Sequence, residues 1–229
     1  MESVVEDSVQ QGIIDFLQVG GPVVWILMVF SVVALTIVLL KLWQFSSLRA
    51  ESLKTSQLAL DDWRNGKGEK SLEKLDEKRP IDALVGYTMR ALLSANISAD
   101  LIREEAERRA MNQLSQLRSY LRPLEIIATL SPLLGLLGTV LGMITAFQQM
   151  EGAGSQVDPS VLSGGIWQAL LTTAVGLAVA IPVVTLQSWL ERKVERIAHN
   201  MNDAVTQVFT SKEAKALTEK AAQEMLHAA

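Results

Sequence analysis

The chain has 229 residues, 20% of them charged, and a formal charge of −4 drawn from both signs, so it lacks the basic footprint of a nucleic-acid binder. It has no cysteine, which excludes a disulfide framework, a thiolate nucleophile and a thiolate metal site. Its two histidines, His199 and His227, sit in a polar C-terminal region outside any HExxH-type pattern, and neither a metal nor a cofactor is expected.

Taken in chain order, residues 1–22 carry Glu2, Glu6, Asp7 and Asp15 without a Lys or Arg. This is the reverse of the basic start of a cleavable signal peptide, so a retained N-terminal segment is predicted. Residues 23–43 are predicted to form a first membrane span. Their apolar block, Val23 to Leu40, contains no ionisable side chain and as a helix is about 27 Å long, just enough to cross the hydrocarbon core. Trp25 and Trp43 bracket it, as rings at headgroup level do.

Residues 44–122 read as helices interrupted around Asn65-Gly66-Lys67-Gly68 and at Pro80. From Ser98 to Arg122 no breaker occurs, and a single helix is predicted, capped by Ser98, favoured by Asp100 and supported by the pairs Glu104–Arg108 and Glu105–Arg109. Pro123 bends the junction or starts a new helix. Residues 123–147 form a second span around the charge-free block Ile126 to Phe147, and residues 148–165 a short loop. Residues 166–189 form a third span around Ile166 to Leu186, bracketed by Trp167 and Trp189. Residues 190–229 have a helix-favouring composition without Gly or Pro.

Lys41, Arg49 and Lys54 follow the first span, Arg118 and Arg122 precede the second, and Arg192, Lys193 and Arg196 follow the third. The opposite ends are acidic or neutral, with only Glu151 and Asp158 in the second loop. Positive charge marks the inner side, so the N-terminus is predicted outside and the C-terminus inside. Residues 44–122 and 190–229 are then cytoplasmic, and residues 1–22 and 148–165 periplasmic. The expected fold is an all-α membrane protein with three transmembrane helices, spans two and three extending as long helices into a cytoplasmic helical domain.

Small residues recur at spacings of three or four in the last two spans: Ser131, Gly135, Gly138, Thr139, Gly142 and Ala146 in the second, Ala169, Thr173, Gly176 and Ala180 in the third. Each set shares one helix face. Close helix packing, with Gly135, Gly138, Gly142, Gly176 and Ala180 as contact points, is one reading of these faces; lining of a pore is the other. Neither block holds an Asp, Glu, Lys, Arg or His, whereas proton relays in membranes need a titratable group. If protons move here, a partner supplies the carboxylate. The polar groups at depth are Thr129, Ser131, Thr139 and Thr145 in span two and Gln168, Thr172, Thr173 and Thr185 in span three. A hydroxyl can relay a hydrogen bond but cannot store a proton near neutral pH, and about half of them are expected to bond back to their own helix. Pro132 and Pro182 are predicted kinks that free a carbonyl one turn earlier.

The segment Thr129-Leu-Ser-Pro-Leu-Leu-Gly-Leu-Leu-Gly-Thr-Val-Leu-Gly-Met143 resembles the second-span signature of the MotA/TolQ/ExbB proton channel family. Ile166-Trp-Gln-Ala-Leu-Leu-Thr-Thr-Ala-Val-Gly-Leu-Ala-Val-Ala-Ile-Pro182 resembles its third-span signature. Three spans, N-out, match the ExbB/TolQ branch, since the flagellar MotA branch has four. The resemblance implies a homopentamer around a pore that holds single-span partners of the ExbD/TolR type, whose membrane Asp carries the proton and whose motion drives a TonB- or TolA-type transducer. It implies that Thr139 and Thr173 are pore-facing hydroxyls that meet that Asp, with Thr172 and Gln168 on the same pathway. Gln168 departs from the family, where a Glu is common; an amide cannot titrate. An ExbB-like role in TonB-dependent outer-membrane transport is the leading expectation. A TolQ-like role in envelope integrity and cell division and a non-conducting membrane scaffold are the alternatives. No nucleophile–base pair or phosphate loop suggests an enzyme.

Overall fold

The computed structural model describes residues 2–48, 52–94, 97–153, 159–211 and 216, and among these all regular structure is helical. Seven helices follow in order: α1 (Glu2–Leu48), α2 (Lys54–Arg64), α3 (Gly68–Glu73), α4 (Pro80–Leu93), α5 (Ala99–Arg118), α6 (Leu121–Ala153) and α7 (Pro159–Thr210). His227 lies outside the described residues, and His199 is exposed on α7. The chain divides into two compact units, Met1–Leu39 with Tyr120–Ser188, and Leu40–Ser119 with Trp189–Ala229.

The first unit contains α6 and most of the apolar lengths of α1 and α7. Stretches of α1, α6 and α7 (Gly20–Ser47, Leu121–Gly152 and Leu162–Thr210) are long and apolar enough to cross a membrane. Within their most apolar windows only 33%, 28% and 28% is buried by the chain itself. Exposed apolar surface on that scale needs lipid or other chains to cover it. Trp25, Trp43, Trp167 and Trp189 all stand exposed, consistent with interfacial rings. α1 starts well before its span: Glu2 to Gly20 is already helical, and the break comes at Gly21, whose φ of 66° and ψ of −166° precede Pro22. A positive φ costs glycine little, and proline next to it suits a helix start.

The second unit packs around Trp63 of α2, which is fully buried. Ile81, Leu84 and Met89 of α4 and Ile102 and Leu117 of α5 join it, with α4 lying against α5 and α2 against α3. The C-terminal part of α7 contributes Leu190, Val194, Ile197, Met201, Ala204 and Val208, a buried stripe whose spacing alternates four and three. Asp82 in the first turn of α4 is buried, accepts from the Ser56 hydroxyl and lies 3.4 Å from the Asp76 amide nitrogen, so it ties α2 to α4. Pro80 opens α4 at its first turn, where its missing N–H costs nothing. The break at Asn65–Lys67 is short and uses Gly66 at φ 75°.

The single helix expected from Ser98 to Arg122 is corrected here. α5 stops at Arg118, Ser119 turns extended (φ −52°, ψ 143°) and Tyr120 adopts φ 64° before α6 starts at Leu121. Pro123 falls inside the first turn of α6 instead of making the corner. Two groups invisible to propensity end α5. The Ser119 hydroxyl donates to Gln116 O at 2.6 Å, and the buried Lys41 ammonium donates to Leu117 O at 3.0 Å and Ser119 Oγ at 3.3 Å. Both satisfy carbonyl or hydroxyl acceptors at the negative end of the helix. α7 runs on past its span as one long helix, whereas span two is not continued by α5.

The charge pairs on α5 also differ in detail. Glu105 takes both arginines, accepting from Arg108 Nε and Nη2 at 2.7 and 2.8 Å and from Arg109 Nε at 2.9 Å. The hydrogen bonds from Arg108 and then Arg109 hold its carboxyl down from 4.5 to about 2, and Glu105 in return raises Arg108. Asp62 is likewise lowered, first by its bond from Lys74. Ser98 occupies the N-cap position of α5, but its side chain makes no capping bond.

Candidate functional site in the seam between the last two spans

The small-residue faces of α6 and α7 meet directly. A methyl group added at Gly135 would lie 3.0 Å from Thr172 O and 3.1 Å from Thr173 Cα, and one at Gly142 3.3 Å from Ala169 Cβ. At Gly138 it would fall 2.5 Å from Thr172 Oγ1, and at Gly176 2.6 Å from Ser131 O. At Gly138 and Gly176 a side chain fits only if its neighbour shifts, and at Gly135 and Gly142 the neighbour would have to give by a few tenths of an ångström, so glycine here lets two backbones approach. Gly135, Gly138, Gly142 and Gly176 line the seam, and Ala180 is buried. Gly165 joins them, since its added methyl would lie 2.4 Å from Ala146 Cβ. It escapes the periodic reading because it stands in a Gly164–Gly165 pair that reads as loop.

The hydroxyls divide into two groups. Thr129, Ser131, Thr139, Thr145 and Thr185 donate back to carbonyls of their own helices: Glu125 O, Ile127 O, Leu136 O, Leu141 O and Ile181 O. Thr172 and Thr173 reach across the seam. Thr172 Oγ1 lies 2.7 Å from Ala169 O and 3.2 Å from Gly135 O, and Thr173 Oγ1 lies 3.3 Å from Gly135 O. One carbonyl of α6 is thus flanked by two hydroxyls of α7. Such bonds hold helices where water is scarce, at a gain of about 1 kcal/mol each.

Thr172 is buried within the seam, whereas Thr139 and Thr173 are only partly covered. Gln168 is also partly covered, and its Nε2 lies 3.6 Å from where a side chain would begin at Gly21, the break in α1. That proximity could not be read from the third-span motif alone. α6 and α7 run unbroken through Pro132 and Pro182. The Ser131 hydroxyl, next to Pro132, bonds to Ile127 O, one residue before the carbonyl that Pro132 frees, whereas Thr185 bonds to Ile181 O, three residues after the one that Pro182 frees.

The seam thus provides a charge-free wall of glycine backbone, alanine and threonine, with hydroxyls fixed by carbonyl bonds. It can pass hydrogen bonds to a visitor but has no group of its own to carry a proton. Residues 76–203 match the MotA/TolQ/ExbB proton channel family, more than half of the chain and the whole of this seam. The chain is 37% identical over 142 residues to the biopolymer transport protein exbB1 of Vibrio cholerae, a match covering 59% of this chain and 62% of that protein. It is 32% identical over 170 residues to a putative ExbB-like 1 biopolymer transport protein of Synechocystis, with 71% and 64% covered. It is also 29% identical over 203 residues to the Tol-Pal system protein TolQ of Haemophilus influenzae, with 82% and 86% covered. In the first two cases the chain spans less than two thirds of the relative's length. A charge-free, glycine-packed pair of spans and a family match over both support one conclusion: this chain belongs to the MotA/TolQ/ExbB proton channel family, on its ExbB/TolQ side.

Proposed function

We propose that the chain is the pore-wall subunit of a bacterial inner-membrane motor, an ExbB-like protein that couples the proton motive force to TonB-dependent outer-membrane transport. The observation that carries this reading is the α6–α7 seam: two charge-free spans whose hydroxyls are positioned but cannot titrate. A proton crossing such a wall needs a carrier on another polypeptide, here a single-span partner of the ExbD type with a membrane Asp. A charge moved through the field is worth about 2.3 kcal/mol per 100 mV, energy the motor delivers to a TonB-type transducer. The N-terminus is outside, the C-terminus inside, and residues 44–122 and 190–229 form the cytoplasmic part. Five copies surround the partner helices, covering apolar surface that a single chain leaves exposed.

In this reading Thr139 and Thr173, both partly open, are the hydroxyls that face the partner's Asp. Thr172, buried in the seam, holds the wall in shape, and Gln168 offers an amide without taking a proton. A TolQ-like role in envelope integrity is a second reading, favoured by the length over which the TolQ protein of Haemophilus influenzae aligns. Replacing both hydroxyls, Thr139→Val and Thr173→Val, tests the pore assignment. Ion-driven uptake through a TonB-dependent receptor should fall at least tenfold at normal levels of assembled complex. Full uptake in the double variant would leave a non-conducting scaffold as the better account. If instead uptake is unaffected by deletion of the gene while detergent sensitivity rises, the TolQ-like role holds.

A further inference from the structure

A polar cleft of about 380 Å³ opens between α4 and α5 in the second unit. Arg108, Arg109, Asn112, Gln113 and Gln116 of α5 line it, against Ala83 and Leu84 of α4. Its volume lies within the range of small-ligand sites. The two guanidiniums share the single carboxylate of Glu105, so that trio carries one positive charge in excess. Arg109 is also held 3.8 Å from the centre of the Tyr87 ring, which fixes its guanidinium before any ligand arrives. On the same face, Gln113 Oε1 is buried and has no hydrogen-bond partner. A buried acceptor left unpaired is a standing cost that an incoming donor would remove.

These features specify the chemistry of an occupant. It must bring one negative charge, to balance the excess on the arginines, and a hydrogen-bond donor close by, to satisfy Gln113. Phosphate near neutral pH brings between one and two negative charges against one in excess, and offers mainly acceptor oxygens. A peptide segment containing Asp or Glu supplies both, since its carboxylate lies a few bonds from backbone N–H groups, and the amides of Asn112 and Gln116 can meet further backbone groups. We propose that the α4–α5 cleft docks an acidic segment of another polypeptide, its carboxylate on Arg108 and Arg109 and a backbone N–H on Gln113 Oε1. The site is separate from the seam between the spans, and its occupancy does not depend on whether protons pass there.

The test uses the full chain in detergent micelles and two fluorescein-labelled pools of hexapeptides, identical except for a central Glu or Gln, followed by fluorescence anisotropy. The Glu pool should bind about tenfold more tightly than the Gln pool. Arg109→Gln should erase that preference, Arg109→Lys should keep part of it, and Gln113→Ala should weaken both pools. Arg108→Gln leaves the Arg109–Tyr87 contact in place, so it serves if Arg109→Gln does not fold. Equal binding of the two pools overturns the proposal, as does a preference that survives both arginine changes. Displacement of the Glu pool by an equal concentration of inorganic phosphate overturns the peptide assignment. Crosslinking of Gln116→Cys between two copies, with loss of peptide binding, makes the cleft a contact between subunits and overturns it as well.

Discussion

Among single residues, the side chains that matter most in the spans are those that are nearly absent. Gly135, Gly138, Gly142 and Gly176 mark the seam; their spacing put them on shared helix faces but left packing and pore lining both open. Which hydroxyls cross the seam was not legible. Threonine on a helix bonds equally well to its own preceding turn, and only the partner's position selects Thr172 and Thr173 over Thr145 or Thr185. The same limit applies to Glu105, where spacing permits pairs with Arg108 or Arg109 and the fold uses both. Its carboxyl is held below its ordinary 4.5, at about 2, so its contribution to stability is complete above pH 4.5 and is lost as pH falls toward 2. Melting curves across that window should be flatter for Glu105→Gln than for the parent at low salt. The difference should shrink in 1 M salt, since the pair is exposed.

At the level of the helix, the break at Pro80 and the run without a breaker after the third span have counterparts in the structure. Pro80 starts α4, and α7 runs from its span to Thr210 without a break. The end of α5 was misread because its stop is tertiary. Lys41, which counts from sequence only as a positive charge after the first span, is buried and donates to Leu117 O, and nothing local to residues 115–120 announces it. The end of α7 is held in a comparable way: Trp63 Nε1 donates to Val208 O at 3.2 Å, and the Arg103 guanidinium lies 5.0 Å from the Phe209 ring centre. Trp63→Phe keeps most of the core volume and removes that bond, so it should cost about 1 kcal/mol. Trp63→Ala also opens a cavity and should cost ~3–5 kcal/mol. Denaturation followed by circular dichroism in micelles would separate the two; no loss in Trp63→Phe would mean that the indole bond contributes nothing, and equal losses that the cavity adds nothing.

For the molecule as a whole, the uncovered apolar surface of the spans and the one-sided distribution of Lys and Arg together predict how the chain sits in a bilayer. The absence of cysteine makes this directly measurable, because any introduced thiol is the sole one. Glu151→Cys should react with an impermeant maleimide on intact spheroplasts, and Arg196→Cys only after the membrane is opened. The reverse pattern would invert the topology and place the acidic N-terminal segment inside. Assembly is not written in one chain's coordinates or in its hydropathy, because lipid and a neighbouring subunit cover an exposed leucine equally well.

The seam also predicts a genetics. At Gly138 the obstacle to a larger residue is the Thr172 side chain, which another mutation can trim, whereas at Gly176 it is the Ser131 carbonyl, which every residue possesses. Because the Thr172 Cβ as well as its branches stands in the way, loss of function caused by Gly138→Ala should be suppressed within the same gene by Thr172→Gly and not by Thr172→Ala, although Thr172→Gly alone gives up a bond. Gly176→Ala should yield no suppressor at position 131. Over evolutionary time positions 138 and 172 are free to change only as a pair, while 176 has no such escape.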